Sequence, residues 1–147
     1  MTSIRWRRSA VSALLACAIV GPVAGCANPG PGAADAAAAA HDFVSAVAAK
    51  DGSAACALLS PDAAAALAED QGTSCEQAVL AHEVAGRVSP AGPPTSDGEA
   101  KAFGRQAQVH LGGDVLFLAM SKRGWVVNAA GCTPRPHQPY DCAIEGS

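Results

Sequence analysis

The sequence predicts an α+β domain: N-terminal helices packed on an antiparallel β-sheet, held by two disulfides. Three observations lead there. Ala36, Ala40, Phe43 and Val47 recur at helical spacing and form one apolar stripe. After about residue 100 the apolar residues alternate or run together in short blocks punctuated by glycines, the pattern of strands and tight turns. Helices first and strands afterwards is the order of a segregated α+β fold rather than of alternating βαβ units. The third observation is an even set of cysteines, Cys56, Cys75, Cys132 and Cys142, downstream of an export-type leader.

The leader occupies residues 1–25. Arg5, Arg7 and Arg8 precede an apolar run from Ala10 to Gly21, followed by small residues at Ala24 and Gly25. The run is about a dozen residues, whereas a membrane-spanning helix needs roughly 20. Gly21-Pro22 breaks any helix just before the cut. Val23-Ala24-Gly25-Cys26 resembles the lipobox of bacterial lipoproteins. That resemblance implies cleavage between Gly25 and Cys26 and a diacylglyceryl thioether on Cys26. The anchor would be lasting, because two or more acyl chains hold a protein on a membrane where one does so marginally. Arg7-Arg8 also leaves the twin-arginine export route open beside the general one.

Removing the leader changes the charge. It takes three arginines and no acid from a chain of net −3, which leaves −6 over 122 residues. That is the size of one small domain with a tether. An acidic chain without a basic run argues against nucleic acid and anionic lipid as partners.

Residues 26–34 form a Pro/Gly-rich tether, and 35–147 the domain. Asp35 to Lys50 reads as a helix carrying the apolar stripe, with His41 on its opposite side. Asp51-Gly52 ends it. Ser53 is expected to cap a short helix through Cys56 to Leu59. Ser60-Pro61-Asp62 starts the next one, with a capping hydroxyl, proline at the first helical position and an acid at the positive end of the dipole. Gly72 stops it. Ser74-x-x-Gln77 has the form of a capping box for a third helix reaching about Ala85. Arg87 to Ala91 is expected to be a first short strand, before the Gly92-Pro93-Pro94 break. From Lys101 to Leu111, Phe103, Arg105, Ala107, Val109 and Leu111 alternate with polar residues, as in one half-buried strand. Gly112-Gly113 makes a hairpin turn. Val115 to Met120 is apolar throughout and reads as a central strand covered on both faces. Trp125 to Ala130 is the next strand. Residues 132–142 contain three prolines and are expected to be an irregular loop closed by a disulfide.

Cys17 leaves with the leader and Cys26 takes lipid, so four cysteines remain. They allow three pairings; Cys56–Cys75 with Cys132–Cys142 is favoured because each pair is local and brackets a turn. A loop of about 15 residues is worth roughly 3 kcal/mol in the chain-entropy model. A zinc site lacks the close Cys or His spacing that fixes a tetrahedron, so no metal or other cofactor is expected.

The stretch AHDFVSAVAAKDGSAACALLSPDAAAAL, then SCEQAV and GWVVNAAGCTPRPHQPYDC, resembles small secreted lipoproteins of high-GC Gram-positive bacteria. Those resemble in turn the nuclear-transport-factor-two-like (cystatin-like) cone fold. The resemblance implies that the sheet is curved and cone-like and encloses a pocket with the helices, in a fold that hosts isomerases, cyclases and binding modules alike. Phe103, Val109 and Leu111 are the candidate pocket residues, with Glu83 as a candidate acid. His110 lies on the polar strand face. Glu76 and Glu83 flank an apolar helix stripe, His82 sits beside Cys75 on that helix, and His137 and Asp141 share the C-terminal loop. No nucleophile elbow, phosphate loop or metal triad is present in the sequence, and no catalytic residue is assigned. The expected role is a membrane-tethered binding module on the outer face of the cell membrane. Its partner would be an envelope protein or a small apolar ligand. The alternative is a cyclase-like extracytoplasmic isomerase, lyase or hydrolase with acid/base residues in the cone.

Overall fold

The computed structural model describes residues 32–89 and 98–146. The expected leader, residues 26–31 of the expected tether, and the Gly92-Pro93-Pro94 break lie outside the described residues. Among the described residues, five helices precede seven strands: α1 (Ala33–Ala48), α2 (Gly52–Leu58), α3 (Pro61–Gln71), α4 (Cys75–Ala78), α5 (His82–Val88), β1 (Glu99–Phe103), β2 (Gln106–Leu111), β3 (Asp114–Ser121), β4 (Gly124–Ala130), β5 (Thr133–Arg135), β6 (Gln138–Asp141) and β7 (Ile144–Glu145). β1, β2, β3, β4 and β7 form one antiparallel sheet in that order, while β5 and β6 make a separate two-stranded ribbon. The α+β class and both disulfides, Cys56–Cys75 and Cys132–Cys142, are as expected.

α1 lies across the sheet with its stripe inward: Ala36, Ala40, Phe43 and Val47 are buried, together with Ala33, Ala37 and Val44. They meet Val109, Leu111, Leu116, Leu118 and Val127 from the sheet in one apolar core. The helix begins two residues earlier than its sequence suggests, and Ala33 is buried, so positions 33 and 34, expected in the tether, belong to α1. Gly32 sits against Trp125, where an added Cβ would lie 3.4 Å from the indole ring. The buried Trp125 Nε1–H has no partner among the described residues.

The caps follow chemistry, with one exchange. Asp51, not Ser53, caps α2: its carboxylate accepts the Ala54 N–H at 3.0 Å. A carboxylate is the stronger acceptor and sits at the residue where the chain turns. Ser60 caps α3 as expected, accepting the Ala63 N–H at 3.1 Å, and Gly72 closes it in the left-handed conformation. The Ser60 hydroxyl also donates to Asn128 Oδ1 at 2.9 Å, and Asn128 Nδ2 donates to the Gly146 carbonyl. Asn128 is the extra residue of a bulge in β4, between the pairs Phe117↔Ala129 and Leu118↔Val127. One hydroxyl thereby ties helix start, sheet and C-terminal strand. Ser60→Ala is expected to cost about 1–2 kcal/mol, combining cap loss with an unpaired Asn128. A urea midpoint that falls at unchanged slope is the measurement.

Four expectations are corrected. The helix from Ser74 to Ala85 is two short helices, with a turn at residues 79–81. Ser74 makes no side-chain cap bond there; the Thr73 hydroxyl meets Gln77 Oε1 instead. Arg87 and Val88 belong to α5, so no strand starts at Arg87; positions 90 and 91 of that expected strand lie outside the described residues. Lys101 to Leu111 is a hairpin rather than one strand, because Gly104 at φ 63° opens a two-residue turn between Phe103 and Gln106. The C-terminal loop is a two-stranded hairpin with a bulge between Thr133 and Arg135, not an irregular loop. Its prolines are tolerated because a two-stranded ribbon has outward-facing N–H positions that need no partner, and His137 takes the left-handed turn position at φ 60°.

That ribbon covers the outer face of the sheet. Val115, Ala129 and Cys132 form a second small apolar cluster with Phe117, Tyr140 and Cys142. Phe117 and Tyr140 meet edge to face at 5.1 Å. β3 is therefore central and has apolar cover on both faces over its first half.

Candidate functional site

The hairpin correction decides where the candidate pocket residues fall. Within a strand, residues of equal parity share a face. Across a two-residue turn the parity flips, because Phe103 pairs with Gln106. Ala100 and Ala107 are buried on the helix side with Val109 and Leu111, while Phe103 is directed outward and is 69% exposed. Val109 and Leu111 are fully packed against the helices. The three residues do not meet, and no described cavity is lined by any of them. Glu83 stands elsewhere, exposed on α5, where it lines a shallow hollow with Gln71, Val84, Arg87, Cys142 and Ala143.

The larger described hollow is a groove of about 470 Å³ between the C-terminal end of α1 and α5. Val47, Leu80 and Ala85 form its apolar floor, and the exposed Lys50 and His82 stand on its rim. Local chemistry explains its shape. Lys50 takes φ 60° to end α1, and the break between α4 and α5 sets Leu80 and His82 at the mouth. Groove volume falls within the range of small-molecule sites, and the apolar floor with a polar rim is their usual lining. The sequence signal for it is weak: Val47 reads as core, and His82 lies beside the unpredicted break.

The other titratable candidates are separated. His110 is exposed on the outer sheet face, paired across strands with Glu99 and Val115. His137 is at the tip of the β5–β6 ribbon, whereas Asp141 lies at its base and faces Arg87. The Arg87 guanidinium reaches the Asp141 carboxylate at 3.7 Å and donates to its backbone carbonyl at 2.6 Å. Glu76 is exposed at the start of α4, where its own backbone N–H and the Ser74 hydroxyl hold its carboxyl below the ordinary value.

Sequence reading missed Asp114. It follows the Gly112-Gly113 turn and is 4% exposed. Its two carboxylate oxygens accept the backbone N–H groups of Gly131, at 3.1 Å, and Cys132, at 3.0 Å. Burial pushes its carboxyl up to about 6, against the opposing pull of those two N–H groups, of the Val115 N–H and of Arg87. The carboxylate thus pins the chain where β4 leaves the sheet and the disulfide-closed ribbon begins. Its only sequence signal is an acid opening an otherwise apolar run, which also reads as a turn residue. No group of three or more His, Cys, Asp or Glu suited to a metal ion occurs among the described residues, and no described helix is long and apolar enough to cross a membrane.

No family model, curated protein or solved structure matches the chain.

Proposed function

We propose that the chain is an extracytoplasmic lipoprotein, anchored through Cys26, whose domain is a ligand- or partner-binding module of the cell envelope. The observation that carries this reading is the cysteine arithmetic. Cys56, Cys75, Cys132 and Cys142 are consumed in two disulfides, bonds that persist in oxidising compartments. Cys26 is left directly after small residues and an export-type leader. The groove between α1 and α5 supports the binding role, with an apolar floor for a hydrocarbon portion and a Lys50/His82 rim for a polar one.

The anchor is tested by metabolic labelling with an alkyne-tagged fatty acid. The parent chain is expected to take the label and Cys26→Ala to lose it; label on both, or on neither, overturns the anchor. The binding role is tested by native mass spectrometry of the full chain extracted from its membranes in mild detergent. An added mass is expected on the parent and absent from Ala85→Trp, which fills the groove. A bare parent chain, or equal added mass on both, overturns the assignment to the groove.

A further inference from the structure

We infer that one end of the sheet, formed by the β1–β2 and β3–β4 turns, is a docking surface for an anionic phospholipid membrane. This rests on the anchored reading, and it says which way the domain faces. The two turns are tied together: the Met120 N–H donates to the Arg105 carbonyl at 2.8 Å, and the Arg105 guanidinium donates to the Met120 carbonyl at 2.5 Å. Arg105 is thereby fixed beside the turn that carries Lys122 and Arg123, and all three side chains are exposed. Phe103 flanks them and is the exposed large hydrophobic residue among those described. Lys101 stands one step behind, paired with Glu99 at 3.7 Å. Four of the seven cations that follow Cys26 thus gather here.

The net charge conceals this asymmetry. Asp62, Glu69, Asp70 and Glu76 are carried by α3 and α4. α3 packs on β4 and β7, at the opposite edge of the sheet from the β1–β2 hairpin. The acidic total argues against anionic lipid only if charge is spread evenly, and it is not. Two exposed carboxylates accompany the four cations, Asp35 in the first turn of α1 and Glu99 beside Lys101, so Lys101, Arg105, Lys122 and Arg123 leave this end net positive.

Chain geometry points the same end at the membrane. α1 starts at Gly32 against Trp125, and Trp125 directly follows the β3–β4 turn. Cys26 is six residues before Gly32, a span of at most about 20 Å when extended. A lipid on Cys26 therefore holds the cationic turns near the headgroups at high effective concentration. Each Lys or Arg close to an anionic leaflet strengthens partition by about fivefold. An exposed aromatic amid such cations suits insertion at the interface.

The test reconstitutes the full chain on nanodiscs of phosphatidylglycerol or phosphatidylcholine and reads hydroxyl-radical oxidation of Phe103. Oxidation is expected to fall several-fold on phosphatidylglycerol at low salt and to recover at high salt. In Lys122→Glu/Arg123→Glu, which leaves the core untouched, the two lipids should give the same oxidation. Equal oxidation of the parent on both lipids overturns the proposal. The mass of the N-terminal peptide reports the anchor separately. If that peptide carries no lipid, the chain is sedimented with phosphatidylglycerol vesicles instead. Losing two cations alone accounts for about 25-fold and reversing them adds repulsion, so the parent is then expected to bind at least about 25-fold more tightly than the double variant, and failure of the parent to sediment overturns the surface.

Discussion

Gly52→Ala is expected to destabilise the domain by about 3 kcal/mol, at the upper end of what overpacking costs. A Cβ at Gly52 would press into the Glu76 carbonyl, inside van der Waals contact with its oxygen and 2.9 Å from its carbon. The obstacle is backbone, so no rotamer change relieves it. Retreat is also blocked. The Cys56–Cys75 disulfide holds α2 and α4 with Cα atoms 6.1 Å apart, and Cys75 is the neighbour of Glu76. On the other side the Asp51 N–H donates to the Ala46 carbonyl at 2.9 Å, fastening the start of α2 to α1. The matched control is Gly86→Ala, where an added Cβ meets nothing within 4 Å on the exposed side of α5. That change should stabilise by up to about 1 kcal/mol through helix propensity alone. Denaturant midpoints of the two variants should therefore move in opposite directions. Reducing the disulfides should shrink the Gly52→Ala deficit, because α4 is then free to move back. A Gly52→Ala chain as stable as the parent would show that α2 and α4 are not in close contact.

The contrast between these two glycines shows where sequence reading stops. Gly52 reads as a helix terminator, because the reasons for its smallness sit 24 residues away. Local signals performed well where the cause is local. The α1 stripe, the Ser60-Pro61-Asp62 start, the Gly72 stop and the Gly112-Gly113 turn all lie within a few residues of what they dictate. Errors arose where alternation ran through a turn. Phe103 to Leu111 keeps its period across Gly104-Arg105, yet the hairpin reverses which parity faces the helices. Alternation alone groups Phe103 with Val109 and Leu111, although it is exposed and they are core. The same reversal turns Phe103 away from the core, which is why the proposed docking surface at that turn is not legible in the alternation. The groove between α1 and α5 depends on a helix break that the Ser74-x-x-Gln77 pattern does not announce. The disulfide pairing was legible because each partner is close in sequence, separated by 19 and 10 residues.

Asp114→Ala is the second large effect expected, and its pH dependence distinguishes its cause. The substitution leaves the buried Gly131 and Cys132 N–H groups without an acceptor, a loss of about 2–4 kcal/mol at neutral pH. These two residues connect β4 to the β5–β6 ribbon, so the ribbon should loosen first. Faster amide exchange at Gly131 and Cys132, ahead of global unfolding, is the local measurement. The sign of the pH effect follows from burial. Asp114 titrates at about 6 in the folded chain, against an ordinary 3.8. The folded state therefore binds the proton more tightly than the unfolded state. This group's contribution to stability is greatest below about pH 4 and falls as pH rises from there to about 6, after which it is flat. A tenfold difference in proton affinity is about 1.4 kcal/mol, so the fall is at most about 3 kcal/mol. The alanine variant lacks the titrating group and should lack that slope, so its deficit against the parent is larger at pH 4 than at pH 7. A deficit that instead widened with rising pH would mean that the carboxylate's bonds to Gly131 and Cys132 outweigh its desolvation. The folded-state titration would then lie below 3.8, not above it.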